Sequence, residues 1–179
     1  MAKKQKKGAG GKLSRSEVVT VRLDPRLRYG LELAARKHRR TASSFIEWSV
    51  ERALAEVLVY ESDQEQFNET VEHVLEKTWD VDEADRLIRL AFKYPDLLTH
   101  DEQVVWKLVR ECGAFWQGEY VESDGVESWT WKIEETCAKF ALIREHFATL
   151  RDIAAGERPM TDLPVAPPAR ATGLAGKRK

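Results

Sequence analysis

The chain has 179 residues, 42% of them hydrophobic and 33% charged, with a formal net charge of −1, two cysteines and no long apolar run. That composition suits one ordinary globular domain or two small ones, and it excludes collagen-like, mucin-like and disulfide-stapled chains. The longest apolar stretches, such as Phe140-Ala141-Leu142-Ile143, fall far short of the roughly 20 residues that cross a bilayer, so no membrane partner is expected.

The net charge near zero conceals a sharp division. Residues 1–40 hold thirteen Lys/Arg against Glu17, Asp24 and Glu32, a balance of +10. Residues 41–169 stand at −15, and residues 170–179 add +4. A basic front end attracts polyanions while an acidic body repels them, which directs the search for nucleic-acid contacts to the first forty residues. Residues 1–14 read as a flexible basic arm, with Lys3, Lys4, Lys6, Lys7 and Lys12 among glycines that bury nothing. Gly8-Ala9-Gly10-Gly11 and Lys12 stand where a secretory leader would carry its apolar stretch. A cytoplasmic location is expected, and the widely spaced Cys112 and Cys137 suit a reducing compartment.

The next segment, 15–58, opens with Val18-Val19-Thr20-Val21-Arg22-Leu23, whose alternation and β-branched content predict a strand. Asp24-Pro25 ends it and starts a helix over about 25–38, since Asp caps well and Pro is tolerated at the first helical position. A second helix begins near Thr41, with Thr41, Ser43 and Ser44 all acceptable caps and Ser44-Phe45-Ile46-Glu47 fitting a capping box. Its apolar stripe is Ile46, Val50, Ala53, Leu54 and Val57. A lone strand leaves its backbone donors and acceptors without partners, and this segment offers no second strand. The simplest remedy is a second copy of the chain, pairing antiparallel across a two-fold axis. Val19, Val21 and Leu23 would then face the helices, and Thr20 and Arg22 would face outward on a ribbon of a size that enters the DNA major groove.

The run VTVRLDPRLRYGLELAARKHRRTASSFIEWSVERAL, Val19–Leu54, combines an alternating strand, an Asp-Pro helix start, a short basic turn and a hydroxyl-rich second-helix start. In that order and spacing it resembles the ribbon-helix-helix DNA-binding family of the Arc and MetJ type. The resemblance implies an intertwined homodimer whose ribbon reads base edges, while the amino end of the second helix grips a phosphate. Carried over, the base-facing residues are Val18, Thr20 and Arg22. Arg22 is the best reader, because a guanidinium makes paired hydrogen bonds to guanine. Val18 departs from the polar residue often found first on this face. The phosphate site falls on the N–H groups around Ala42 and Ser43, helped by Thr41 and Ser44, with Arg39 and Arg40 alongside. The turn lacks the glycine common in the family, which puts Arg39 where a left-handed conformation is needed.

After a turn-like Glu61-Ser62-Asp63, residues 62–156 read as a small helical domain. Apolar stripes fall at Phe67, Val71, Val74 and Leu75, then at Leu87, Ile88, Leu90, Ala91 and Phe92, then at Val104, Val105, Leu108 and Val109, with Pro95-Asp96 separating the second from the third. Asp124-Gly125 between residues 119–131 signals a short hairpin, and a last helix is expected over about 132–155. Trp79, Trp106, Trp116, Trp129 and Trp131 are either core or a ligand or partner surface, core being the commoner use. Residues 157–179, with Pro159, Pro164, Pro167 and Pro168, read as a disordered, basic, Pro-rich tail.

The expected fold class is therefore mostly α: a ribbon-helix-helix module followed by a small helical domain. The histidines are scattered, neither cysteine has metal-ligand spacing, and no phosphate-binding glycine loop or nucleophile elbow is present. No catalytic residue, metal or cofactor is assigned. The expected function is a homodimeric, sequence-specific DNA-binding protein, a transcriptional repressor, with residues 62–156 binding an effector or partner. Its rivals are an antitoxin whose acidic second domain binds a partner protein, an accessory protein of plasmid segregation or conjugation, and a dimer that never reads DNA.

Overall fold

The computed structural model describes residues 19–61, 64, 68–123 and 126–171. Val18, the arm expected over residues 1–14, the Asp124–Gly125 turn and residues 172–179 lie outside the described residues. The described chain is mostly helical with small antiparallel sheets, and it divides into two compact units, Met1–Glu72 and His73–Lys179.

In the first unit, helix α1 (Pro25–Lys37) starts as its sequence demands. The Asp24 carboxylate accepts from the N–H groups of Arg26 and Leu27, both at 3.0 Å, with Pro25 at the first helical position. Helix α2 (Ala42–Glu56) is capped by Thr41, which settles the choice among the three hydroxyl residues: Thr41 Oγ1 accepts from Ser44 N–H at 3.1 Å. Beyond α2, a short pair of strands, β1 (Leu58–Tyr60) and β2 (Glu69–Thr70), runs antiparallel with an irregular register. This pairing carries the first unit past the boundary expected near residue 58, because Val57 and Leu58 find backbone partners at Val71 and Thr70.

The strand expected at Val18–Leu23 is not formed by one copy of the chain: residues 19–24 belong to no ladder. Nor do Val19 and Val21 face the helices of their own chain, being 81% and 68% exposed. A strand exists only through a neighbour's hydrogen bonds, and β1 and β2 satisfy each other elsewhere. Among the described residues of this unit only Ala35 is buried, and Leu27, Tyr29, Ile46 and Val50 remain exposed.

The second unit has a core of its own. Helix α3 (Val71–Thr78) leads to α4 (Glu83–Lys93), α5 (His100–Glu111) and α6 (Phe140–Ala154). Asp82 caps α4, and a Thr99–Glu102 capping box starts α5 once Pro95 has ended the preceding helix in a 3-10 turn. Ile88, Val109, Phe115, Trp116, Ile143 and Leu150 are wholly buried at the centre. Trp116 donates its indole N–H to the Val109 carbonyl at 2.9 Å and meets Phe92 and Trp106 edge-on, so Trp106 and Trp116 are core. The expected hairpin is present as β3 (Gly118–Ser123) and β4 (Val126–Trp131), in unbroken register from Gly118↔Trp131 to Ser123↔Val126. A side chain at Gly118 would collide with the Thr130 carbonyl, which explains the glycine there.

Two expectations need correction here. Helix α6 begins at Phe140, not near residue 132, because the chain leaving β4 first returns alongside residues 115–117: Gln117 N–H donates to Cys137, and Lys139 N–H to Phe115. Residues 157–171 are also not a loose tail. Gly156, at φ 76°, closes α6, Leu163 packs on the core, and β5 (Arg170–Ala171) pairs with β4. The Cys112 thiol, pushed up by burial and so kept protonated, donates to the Pro164 carbonyl at 3.2 Å. Proline bars helix here but not extended chain, and an apolar Leu163 suffices to anchor it.

Asp85, 3% exposed, joins α4 to α6 through a two-pronged bond with Arg144 at 2.7 and 2.9 Å. The two partners are unequal, since the Arg144 side chain is 46% exposed. Arg144→Ala strands a buried carboxylate and is expected to cost about 3 kcal/mol in denaturant unfolding. Asp85→Ala leaves only a wetted cation and costs less; equal losses would put the effect in packing instead of charge.

Candidate nucleic-acid interface

The basic turn between α1 and α2 is built by backbone hydrogen bonds. Arg40 N–H reaches the Ala35 carbonyl at 2.9 Å and Arg39 N–H the Arg36 carbonyl at 3.1 Å, with His38 as the helix C-cap. This is a Schellman closure, whose residue after the cap is left-handed and usually glycine. Arg39 occupies it at φ 55°, the conformation that the family resemblance implied for it. Two residues later Thr41 caps α2, so Arg39 and Arg40 end beside the amino end of a second helix.

At that end Thr41 Oγ1 satisfies Ser44 N–H, and the Thr41 carbonyl accepts from Phe45 N–H. The N–H groups of Ala42 and Ser43 have no acceptor within the helix. They sit at the positive end of the helix dipole, where an anion is favoured. The structure thus brings together Arg39, Arg40, Thr41, Ala42, Ser43 and Ser44 within one turn and one helix start. It does not bring Thr20 and Arg22 to them through any described hydrogen bond. Both are exposed in the segment preceding α1, and Val18, Lys3, Lys4, Lys6, Lys7 and Lys12 lie outside the described residues.

Sequence reading missed the aromatic cluster behind this turn. The rings of His38, Phe45 and Trp48 meet at centroid distances of 5.0–5.5 Å. The guanidinium of Arg40 lies over the Trp48 ring at 5.4 Å, and that of Arg52 at 5.3 Å. The available signal was spacing: Phe45, Trp48 and Arg52 fall three and four residues apart on one face of α2.

In the second unit, α3, α4, α5 and α6 border a groove of about 460 Å³. Its walls include Val74, Leu87, Leu90, Val105 and Phe147, with the exposed Trp79 at the rim under the Arg86 guanidinium. Among the described residues no cluster of His, Cys, Asp and Glu could hold a metal ion, and no helix is long and apolar enough to cross a membrane.

Comparison with protein families, with characterised proteins and with solved structures finds no match to this chain.

The left-handed Arg39 stores local strain that glycine would not carry. Arg39→Gly is therefore expected to stabilise the first unit by about 1 kcal/mol in thermal or denaturant unfolding. A less stable variant would mean that contacts of the arginine side chain outweigh its backbone cost.

Proposed function

We propose that the chain is a homodimeric, sequence-specific DNA-binding protein that acts as a transcriptional repressor through a ribbon-helix-helix module. The observation that carries the reading is the first unit's inability to bury its own apolar side chains. Val19, Val21, Leu27, Ile46 and Val50 are exposed on a unit whose only buried described residue is Ala35. So much uncovered apolar surface beside an unpaired, β-branched segment calls for a partner of matching pattern, and a second copy supplies one.

In such a dimer the two Val19–Leu23 segments pair as an antiparallel ribbon. The ladder satisfies their backbone groups, and the apolar alternate residues cover the exposed faces of α1 and α2. Thr20 and Arg22 then point away from the helices into the major groove, with Arg22 reading guanine and Thr20 bonding a base edge or meeting a thymine methyl. The Ala42 and Ser43 N–H groups take a phosphate at each side, with Arg39 and Arg40 adding charge. The arm lysines, Lys3, Lys4, Lys6, Lys7 and Lys12, add affinity that depends on salt and not on sequence. The second unit, with its separate core, serves regulation or partner binding.

The test is a titration of the full chain with duplex DNA from upstream of its own gene and with a scrambled duplex, at several salt concentrations, alongside sedimentation for mass. A dimer that prefers the native duplex is expected, with Arg22→Ala costing about 1–3 kcal/mol and relaxing base preference. A monomer, or an Arg22→Ala chain that discriminates as well as the parent, would overturn the assignment. Deleting residues 1–12 is expected to weaken both duplexes alike and to flatten the salt dependence; an unchanged slope removes the arm from the interface.

A further inference from the structure

Arg40 and Arg52 converge on one indole without an acid to balance them. Arg89, Arg144, Arg151 and Arg158 are each paired with a carboxylate, whereas Arg40 and Arg52 have no acidic partner among the described residues. Their positions are nevertheless defined. The Arg40 backbone is tied to Ala35 by the helix closure, and its guanidinium lies over Trp48. Arg52, one helical turn beyond Trp48, lies over the same ring. Trp48 in turn is braced by His38 and Phe45.

Two cations gathered at one ring repel each other, and the positive end of α2 lies at Thr41, beside Arg40 in the chain. The negative face of the indole offsets part of that repulsion. A polyanion would offset the rest. A guanidinium held over a ring also keeps its in-plane N–H donors available, so stacking on Trp48 and bonding to a phosphate are compatible. Stacking fixes rotamers that a free arginine would have to give up on binding, and this lowers the entropic cost of the contact.

We infer that Trp48 is a positioning residue that holds Arg40 and Arg52 as a paired clamp for phosphates of the DNA backbone. The clamp rests on the DNA-binding reading above, which already sets Arg40 beside the phosphate, and adds to it Arg52 and the ring that holds both guanidinium groups. Because it meets only backbone, it strengthens binding to every sequence alike.

The experiment is a double-mutant cycle on the full chain, with the native and scrambled duplexes titrated across salt. Replacing both arginines, R40Q with R52Q, removes four cations from the dimer and is expected to reduce the slope of log affinity against log salt by about 3.6, at roughly 0.9 for each phosphate no longer neutralised. Trp48→Leu is expected to weaken both duplexes about fivefold in the parent chain and to change nothing further in the R40Q/R52Q chain, as coupled residues do. Trp48→Phe, which keeps an aromatic face and tests the fold, retains most of the affinity. An equal loss from Trp48→Leu in both backgrounds would make Trp48 a packing residue, and an unchanged salt slope in R40Q/R52Q would take the arginines off the phosphates; either overturns the clamp while DNA binding stands. No binding of the parent chain to any duplex at low salt overturns the DNA reading and the clamp together.

Discussion

Backbone N–H and C=O groups must find partners, and apolar side chains must find cover; among the described residues of the first unit one copy supplies too little of either. Residues 19–24 belong to no ladder, and two helices packed on each other bury only Ala35 among the described residues. The short β1–β2 pair does not change this, since Leu58 and Tyr60 stay largely exposed. Everything proposed for the unit follows from that deficit. In the proposed dimer a second copy would turn exposed valines into a shared core, order the ribbon and set the outward residues in fixed register. Folding and dimer formation would then be one equilibrium, and stability would rise with protein concentration.

The second unit stands under no such constraint. Its centre is closed by Trp116, which is completely buried yet has its one polar atom bonded to Val109. The buried Asp85 is likewise met at both oxygens by Arg144. Both of these polar groups taken from water are satisfied inside the unit. The contrast is why the partner proposed above is assigned to the first unit.

How much of this the sequence disclosed depended on the range of the interaction. Local signals read true: Asp24-Pro25 started α1, Thr41 was among the caps named for α2, Asp124-Gly125 lay between two paired strands, and the missing glycine put Arg39 in the left-handed region. Long-range consequences did not. Helix periodicity continued through residues 132–139, but the bonds from Gln117 N–H to the Cys137 carbonyl and from Lys139 N–H to the Phe115 carbonyl overruled it. Prolines after Glu157 suggested disorder, yet Leu163 and the Cys112–Pro164 contact hold that segment to the core. For the interface, the helix start was legible because capping is local. The cluster around Trp48 was not, because His38 and Arg40 reach it only through the turn.

That turn shows how strain and position are connected. A glycine after the His38 cap would close α1 without cost, but it would also loosen the one link that sets Arg40 against Trp48. With arginine in the left-handed position, the two hydrogen bonds to Ala35 and Arg36 hold a residue that prefers to be elsewhere. The chain keeps a basic side chain at a point where glycine would be more stable, and it does so beside a helix start with two free N–H groups. Local stability is given up where charge is gained. In the proposed function that exchange serves an anion arriving at the turn, and this is the physical reason for reading the arginines there as an interface instead of a solvated loop.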